Sequence, residues 1–442
     1  MRASADTIYA LSSGALPAGV AVIRISGPRA FLALTTLTGR ETPSPRRAVL
    51  SSIRDRNDEV IDQALILLFS APNSFTGEDC VEIHSHGSRA VLASIFAELE
   101  NLEGFRPADA GEFSRRAFEN GKMDLLEVEG LADLLQAETE MQRRLAVEQS
   151  TGKLSALYDG WAGRLTRARA LIEAELDFAD EDDVPDSVAT QVWHAMSQLR
   201  GEIADHLRQG AGGEIIRDGF KVALVGEPNV GKSTLLNALS GRDVAIVTDI
   251  AGTTRDVLSV DINLDGYLVR IFDTAGIRET EDVVEQEGVR RAKLTAENAD
   301  LVLLLQDNDS LPKQSSLSFS NRRRLYLRTK SALSSDFPET PFDLSISAKE
   351  GHGLEELRSV ITQEIKNRVG GGQTLVPARA RHKKRLEETL NYVSDALDSE
   401  AMDLAIRSEY LRLAATSLGR ITGRVDVEDL LGVIFSEFCI GK

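Results

Sequence analysis

Apolar and polar positions change rhythm twice along the chain. Up to about residue 120, short β-like runs at Val20–Ile25, Ala64–Phe69 and Cys80–His84 alternate with Gly, Pro and Ser turns, which predicts a mixed α/β domain. Prolines are then absent between Pro107 and Pro185 and again after Pro377, and leucine and alanine recur there at helical spacing, as in Leu125–Leu135 and Leu404–Leu413. Between these helical zones the apolar runs Lys221–Val225, Tyr267–Phe272 and Phe342–Ile346 read as strands and Thr234–Leu239 as a helix. Glycine-rich Gly210–Gly213 and Gly370–Gly372 bracket that α/β stretch and predict hinges. A domain with adjacent termini inserts into another at such sites. The expected architecture is multidomain: an α/β domain over 1–120, a discontinuous all-α helical domain over 121–215 and 369–442, and an inserted α/β domain over 216–368. The two helical halves then pack together, and the inserted domain hangs from them and swings.

Composition narrows the function classes. Across 442 residues, 51 Lys and Arg stand against 69 Asp and Glu, a net charge of −18. That balance argues against a protein that grips nucleic acid by bulk electrostatics. Arg379–Arg385 is the strongest basic cluster and reads most simply as a solvated helix start, and acidic Asp177–Asp186 as a solvated loop. Cys80 and Cys439 lie far apart, so no disulfide framework is implied and a reducing compartment fits. No run approaches the ~18 apolar residues that a membrane span needs, and Met1–Ala10 has no signal-peptide character. A cytoplasmic protein without a membrane partner is expected.

The chemistry concentrates in residues 226–233, Gly-Glu-Pro-Asn-Val-Gly-Lys-Ser, which fit Gly-x-x-x-x-Gly-Lys-Ser. Such a loop between a strand and a helix turns its N–H groups onto phosphate oxygens. Here Asn229, Val230 and Gly231 supply the loop, Lys232 the charge near the β- and γ-phosphates, Ser233 a hydroxyl for Mg²⁺, and Thr234 the helix start. Downstream, Asp273, Thr274, Ala275 and Gly276 follow a strand, so that the carboxylate reaches the Mg²⁺ through water and the Gly276 N–H faces the γ-phosphate. Thr248, Asp249, Ile250, Ala251, Gly252, Thr253 and Thr254 lie between as a switch segment, and Ser347, Ala348 and Lys349 follow the last strand beside a purine oxygen. Taken in this order the set resembles the GTPase superfamily from about residue 219 to 366, which implies a Ras-like P-loop G domain and GTP as its nucleotide.

Two positions depart from that pattern. Where GTPases carry Asn-Lys-x-Asp this chain has Thr329, Lys330, Ser331 and Ala332, so the carboxylate that takes two hydrogen bonds from guanine is missing. Bonds to a charged group contribute roughly 1.5–3 kcal/mol each, so guanine preference drops by about two to four decades. Directly after Asp-x-x-Gly stands Ile277 instead of a water-orienting glutamine. Asn229 and the Gly252–Arg255 loop resemble the potassium-activated branch of the superfamily. That resemblance implies a K⁺ ion where an arginine finger would act, completed by G-domain dimerisation. It places a water-aligning glutamate at Glu285, whose plain alternative is a solvated residue of a Glu285–Asn298 helix.

In the first domain Cys80, Glu82, His84 and His86 fall on one face of a strand, the last two entering a turn before Gly87. Cys, His and carboxylate bind zinc elsewhere, but a polar strand face with one binding carboxylate is the favoured reading. Val22–Gly27, Asn73–Asp79, Gly111–Phe118, Asn120–Asp124 and Phe438-Cys-Ile-Gly-Lys442 together resemble the MnmE (TrmE) family of tRNA modification GTPases over the whole chain. The resemblance implies an N-terminal tetrahydrofolate-binding and dimerisation domain, a helical domain in two segments and an inserted G domain. It implies that a one-carbon tetrahydrofolate (5-formyl- or 5,10-methylene-) is held by Arg24, Glu82, Lys122 and Lys442. Cys439 would lie close by as a nucleophile or base, or else be a buried structural thiol. Mg²⁺ would be held by Ser233 and Thr254, and K⁺ by Asn229 with backbone oxygens of Thr248, Ile250 and Thr253. A homodimer acting with the FAD-dependent MnmG (GidA) as a heterotetramer would modify C5 of the wobble uridine of certain tRNAs. The competing classes are a ribosome-assembly or other switch GTPase, which needs a basic RNA-binding appendage, and a dynamin-like GTPase, which needs a lipid-inserting segment.

Overall fold

A computed structural model describes residues 6–177, 187–227, 229–242, 259–273, 297–307, 323–330, 342–370, 374–398, 403–425, 431–432, 434–435, 438 and 441. These form two compact units, one of residues 1–132, 149–160 and 418–442, the other of 133–148 and 161–417.

The first unit is built on a six-stranded sheet. Its strands are β1 (Thr7–Leu11), β2 (Ala18–Ser26), β3 (Val49–Arg54), β4 (Val60–Phe69), β5 (Cys80–Gly87) and β6 (Phe105–Pro107), in the order β3-β4-β5-β2-β1-β6. Every pairing is antiparallel except β1 with β6. Alternation puts Ile23, Ile25, Val81 and Ile83 on one face, where α1 (Ala30–Thr38) and α2 (Arg89–Glu100) cover them with Leu34, Leu37, Ile95 and Leu99. The Ser88 hydroxyl caps α2 by accepting from the Ala90 N–H at 3.2 Å. The other face carries Arg24, Glu82 and His84. β5 continues through His86 to Gly87, where the sequence reading expected a turn. The pairing runs on from Ser85–Ala21 to Gly87–Ala18 across a shift of register between Ala18 and Ala21, and a Cβ at Gly87 would sit 2.3 Å from the Ala18 carbonyl oxygen. α3 (Glu112–Glu119) follows the sheet, and α4 (Leu125–Gln136) packs Leu125 and Val128 on Phe435 and Phe438.

The second unit holds the other sheet. β7 (Phe220–Gly226), β8 (Ser259–Leu264), β9 (Tyr267–Asp273), β10 (Leu301–Gln306), β11 (Arg323–Arg328) and β12 (Leu344–Ser345) lie in the order β12-β11-β10-β7-β9-β8. All are parallel except the β8–β9 hairpin, whose two-residue turn Asp265–Gly266 has φ of 51° and 86°. β12 is shorter than the expected Phe342–Ile346 strand, because only Leu344 and Ser345 pair with Leu327 and Arg328. Helices α5 (Glu140–Ser150), α6 (Lys153–Asp177), α7 (Ser187–Asp218), α8 (Lys232–Arg242), α9 (Leu354–Val369), α10 (Ala380–Asp398) and α11 (Leu404–Thr422) complete the chain, with α10 packed along α7.

Gly210–Gly213 is not a hinge. It lies inside α7, and its glycines are there for close approach: a Cβ on Gly212 would stand 2.9 Å from both Cα and O of Val369, and one on Gly213 2.8 Å from the Pro377 carbonyl. Gly370 ends α9 in the left-handed region at φ 70°, and residues 371–373 lie outside the described set. Nor does the inserted domain hang free. Met141 and Leu145 of α5, Ile216 of α7, and Val376 and Ala378 share one apolar cluster with Leu264, Tyr267 and Val269 of the hairpin. The Gly266 carbonyl also accepts from the Met141 N–H at 3.1 Å.

Two outcomes test this packing. Gly212→Ala should destabilise by about 1–3 kcal/mol through overpacking, whereas a solvent-exposed helical site would gain up to ~1 kcal/mol from the same change; denaturant melts read the sign. His206, 7% exposed and edge-on to Trp161 at 5.4 Å, has its pKa pulled down to about 4 by burial. The unfolded chain therefore takes up this proton first, and stability falls as pH drops from about 6.5 toward 4, by about 2 kcal/mol at pH 5. His206→Phe should lose that contribution to the pH 7 to pH 5 difference in urea midpoints.

Candidate functional site

The phosphate-binding loop leaves the C-terminal end of β7, the strand from which neighbours run outward on both sides, β9 on one and β10 on the other. In a parallel sheet that reversal opens a crevice for ligands. The chain turns there because Asn229 and Gly231 take φ of 61° and 107° on either side of Val230. A Cβ on Gly226 would meet the Leu305 carbonyl at 2.5 Å, so only glycine lets β7 close onto β10 at that point. Gly231 then leads into α8, and the Leu235 N–H returns to the Gly231 carbonyl at 2.9 Å.

Lys232 is buried, and its Nζ donates to the carbonyls of Gly226 at 2.8 Å and Glu227 at 2.9 Å. Burial pulls its pKa below the ordinary lysine value, opposed by the charge of Asp273. The Ser233 hydroxyl donates to Asp273 Oδ2 at 3.0 Å, so the hydroxyl expected to hold Mg²⁺ and the carboxylate expected to reach that ion through water converge across the ends of β9 and α8. Hard oxygen donors suit that ion. Thr234 lies exposed on the first turn of α8.

On the base side, Thr329 follows β11 and is buried; Lys330 has φ 57° and its Nζ reaches Asp307 Oδ2 at 2.6 Å. Ser347 is buried with its N–H on the His352 carbonyl at 3.1 Å, Ala348 packs against the core and Lys349 is exposed. Thr248, Asp249, Ile250, Ala251, Gly252, Thr253, Thr254, Thr274, Ala275, Gly276, Glu285, Cys439 and Lys442 lie outside the described residues.

The first unit brings together a second group. Arg24 and Glu82 are cross-strand partners on β2 and β5, and Glu82 Oε1 accepts from Arg24 Nε at 3.1 Å and lies 3.0 Å from Nη2. His84 Nε2 stands 3.4 Å from the other oxygen, Oε2. The resemblance assigned Arg24 and Glu82 separately to a ligand, yet here they engage each other. The Arg24 guanidinium also lies 5.2 Å from the Phe75 ring centroid and 5.7 Å from that of Phe113.

Phe75 sits in the 70–79 loop, which an ion network clamps to the sheet. The buried Arg116 side chain bonds Glu78 Oε2 and Glu112 Oε1, both at 3.0 Å, and Ser26 donates to Glu78 at 2.8 Å. Burial raises the Glu112 carboxyl, but the bonds from Arg106, the Asp109 N–H and Arg116 overcome it and hold the group at about 2. Lys122 is exposed, and its stem lies over Gly77, where a Cβ would come 3.2 Å from Lys122 Cγ. Cys80 is buried with its thiol 3.2 Å from the Thr76 hydroxyl and 3.3 Å from that of Ser26, while His86 bonds Asp62 at 2.8 Å. Among the described residues no cluster of His, Cys, Asp and Glu is placed to hold a metal ion.

The chain's end docks on the same unit. The Ser12 hydroxyl donates to the Gly441 carbonyl at 2.8 Å, and a Cβ on Gly441 would stand 2.1 Å from the Leu11 oxygen. Leu11 is the cross-strand partner of Ile23, next to Arg24. Sequence reasoning missed Phe75 and Phe113 here and the Thr329 hydroxyl in the other unit, whereas it places His84 on the same strand face as Glu82. The signal for Phe75 was its place inside the Asn73–Asp79 motif. Among the described residues no helix is long and apolar enough to cross a membrane.

With this geometry in place, comparison with known proteins gives a family. The profile described as "GTP-binding protein TrmE N-terminus" matches residues 7–122, and "MnmE helical domain" matches 125–439. The tRNA modification GTPase MnmE of Agrobacterium fabrum is 83% identical over 442 residues, 100% of each chain. That of Rhizobium johnstonii is 58% identical over the same span, again 100% of each. A solved structure, Aquifex aeolicus Era bound to GDP and AlF4⁻, is 31% identical over 33% of this chain and 56% of its own, with a TM-score of 0.27. A phosphate loop at a sheet's reversal point and full-length identity of this order lead to one conclusion: the chain is a GTP hydrolase and belongs to the MnmE (TrmE) family of tRNA modification GTPases.

Proposed function

We propose that this GTPase uses a one-carbon tetrahydrofolate bound on the uncovered face of the first sheet, and that it modifies C5 of the wobble uridine of certain tRNAs with the FAD-dependent MnmG as partner. The observation that carries the folate reading is the Arg24–Glu82 pair beside Phe75 and Phe113, with Gly441 docked on the adjoining strand. A pterin edge offers donors that a carboxylate accepts in pairs, its ring stacks on aromatic groups, and the glutamate tail offers carboxylates to lysines. Glu82 reaches a pterin by exchanging its Arg24 bonds, Arg24 stays as counter-charge, and Lys122 and Lys442 take the tail. Cys439 stands near the one-carbon unit. The same sheet face supports a homodimer formed through this domain: cross-strand partners Leu50 and Leu65 are 63% and 38% exposed, and Val60 53%.

For hydrolysis, Ser233 and Thr254 hold Mg²⁺, while Asn229 and the backbone oxygens of Thr248, Ile250 and Thr253 hold K⁺. Those ions supply positive charge against the oxygens that gain negative charge during phosphoryl transfer. Lys232 holds the β- and γ-phosphates, and Glu285 aligns water in place of a glutamine. Paired G domains complete the site, in a cytoplasmic heterotetramer of two such chains and two MnmG.

Calorimetry with 5-formyltetrahydrofolate should give binding that Arg24→Ala weakens at least about tenfold, through loss of the counter-charge beside Glu82 and the ligand. Equal affinity for both proteins would remove the folate assignment. GTP turnover should rise about tenfold or more when Na⁺ is exchanged for K⁺, a barrier change of about 1.4 kcal/mol or more. Cation-indifferent turnover would remove the K⁺ assignment. A separate outcome concerns the base. With Ala332 in place of the acid, guanine-over-adenine discrimination should lie about two to four decades below that of a relative with the carboxylate, and Ala332→Asp should restore it. Competition of GDP and ADP against a fluorescent nucleotide measures the ratio.

A further inference from the structure

We propose that the seam between the β8–β9 hairpin and the α4–α5 turn is a proton-linked latch. Glu138 and Asp261 lie on its two sides, and a proton taken up by the pair closes the hairpin onto the helices. One side of the seam is apolar, where Met141 and Leu145 share a cluster with Leu264 and Tyr267. The other side is a cavity of about 450 Å³ whose wall carries both carboxylates and guanidinium groups. Asp261 belongs to the sheet that carries the phosphate loop and Glu138 to the helices, so repulsion between them acts across the junction.

The charges around the cavity leave this pair short of cations. On the wall formed by α4, α7 and the segment before α10, Asp133 Oδ1 accepts from Arg217 at 3.2 Å and from Arg379 at 2.7 Å. Arg217 also donates to Asp218 at 3.0 Å, so both guanidinium groups are already engaged. In α5, Glu140 is bonded by Arg143 and Arg144, each at 2.8 Å. On the sheet, Arg270 is the cross-strand partner of Asp261 and stands 3.3 Å from it, with Lys221 as its register partner on β7. Arg270 is also the cation whose field reaches Glu138. Two carboxylates therefore divide one guanidinium. Asp261, at 17% side-chain exposure, has little water to screen it, and Glu138 stands at the exposed rim.

Both carboxyls respond accordingly. Burial raises Asp261 against the attraction of Arg270, and burial followed by the Asp261 charge raises Glu138. Opening the seam separates and hydrates them, which returns both to the ordinary carboxylate range. The closed form thus binds the proton more tightly, and the two groups titrate as a pair. By linkage, closure is favoured as pH falls into the raised range and opposed as pH rises through it, the reverse of the His206 effect on the whole fold. Arg270 and Asp273 lie on the same strand, so the latch bears on the element that accepts the Ser233 bond.

The Met141 N–H reports closure directly, because its bond to the Gly266 carbonyl spans the seam. Hydrogen exchange of the full-length protein, corrected for intrinsic rates, is read by mass spectrometry on a peptide covering 139–147. Glu138→Gln should raise protection at least about threefold at about pH 8, and the gain should shrink as pH is lowered to about 5.5. In an Asp261→Asn background the same change should bring no gain, since the repulsion it relieves is already gone. Salt gives a reading that needs no second variant. About 0.5 M NaCl should raise protection of the starting protein at about pH 8 by screening, and leave that of the Glu138→Gln protein unchanged. Exchange in β10 serves as the measure of global stability. A gain that is equal at both pH values, an equal gain in the Asp261→Asn background, or no gain at all would overturn the latch.

Discussion

One peptide turn, between the end of β7 and the start of α8, constrains everything around it. Its N–H groups must point inward together, which helix and strand geometry alike forbid, so the chain uses φ values open to Asn and Gly but costly for other residues. Backbone held in that region does not hold itself. Lys232 bonds back to two loop carbonyls, Thr329 takes a third, and Gly226 presses against Leu305 with no room for a methyl group. The parallel sheet is the frame to which these ties run, which is why the loop lies at the strand where the order reverses.

The first unit solves a different problem with the same economy. A charged pair on a sheet face is poorly placed for stability, since exposed ion pairs contribute little and buried ones cost desolvation. Arg24 and Glu82, at 17% and 19% side-chain exposure, sit between those limits. They are held by aromatic rings on one side, and the Arg116–Glu78–Glu112 network clamps the loop that carries Phe75. The pair is thereby held in order without being fully withdrawn from solvent.

How much of this was legible in the sequence follows from the range of each signal. Local signals transferred well: the Gly-x-x-x-x-Gly-Lys-Ser loop, the strands on either side of Asp273, and the leucine spacing of α4 and α11 depend on neighbours within a few residues. Non-local packing did not transfer. Gly210–Gly213 looks like a flexible linker until Val369 and Pro377, more than 150 residues away, are seen against it. Thr329 read as a damaged motif because its partner, the Val230 carbonyl, is a backbone atom with no sequence signature. Arg24 and Glu82 were each picked out by resemblance, but that they face each other is a matter of β2–β5 register, which their own neighbours do not encode.

The replacement of hinges by a close-packed seam changes how the nucleotide site can act on the helices. β9 runs from the Asp265–Gly266 turn to Asp273, so the hairpin is continuous with the strand end that accepts the Ser233 bond. Its far end is fastened to α5 through Gly266 and Met141 and to α9 through Asp265 and Lys366, bonded at 2.6 Å. A cavity of about 450 Å³ opens along this seam, lined by Asp133, Glu138, Arg217, Asp261 and Arg270. Burial, then the Asp261 charge, pushes Glu138 above the usual carboxylate range despite Arg270, and burial does the same to Asp261. Apolar contacts at interior density do not slide gradually, because a gap of roughly 0.5–1 Å already forfeits about a quarter to a half of the attraction. Displacement along such a seam is therefore stepwise rather than gradual.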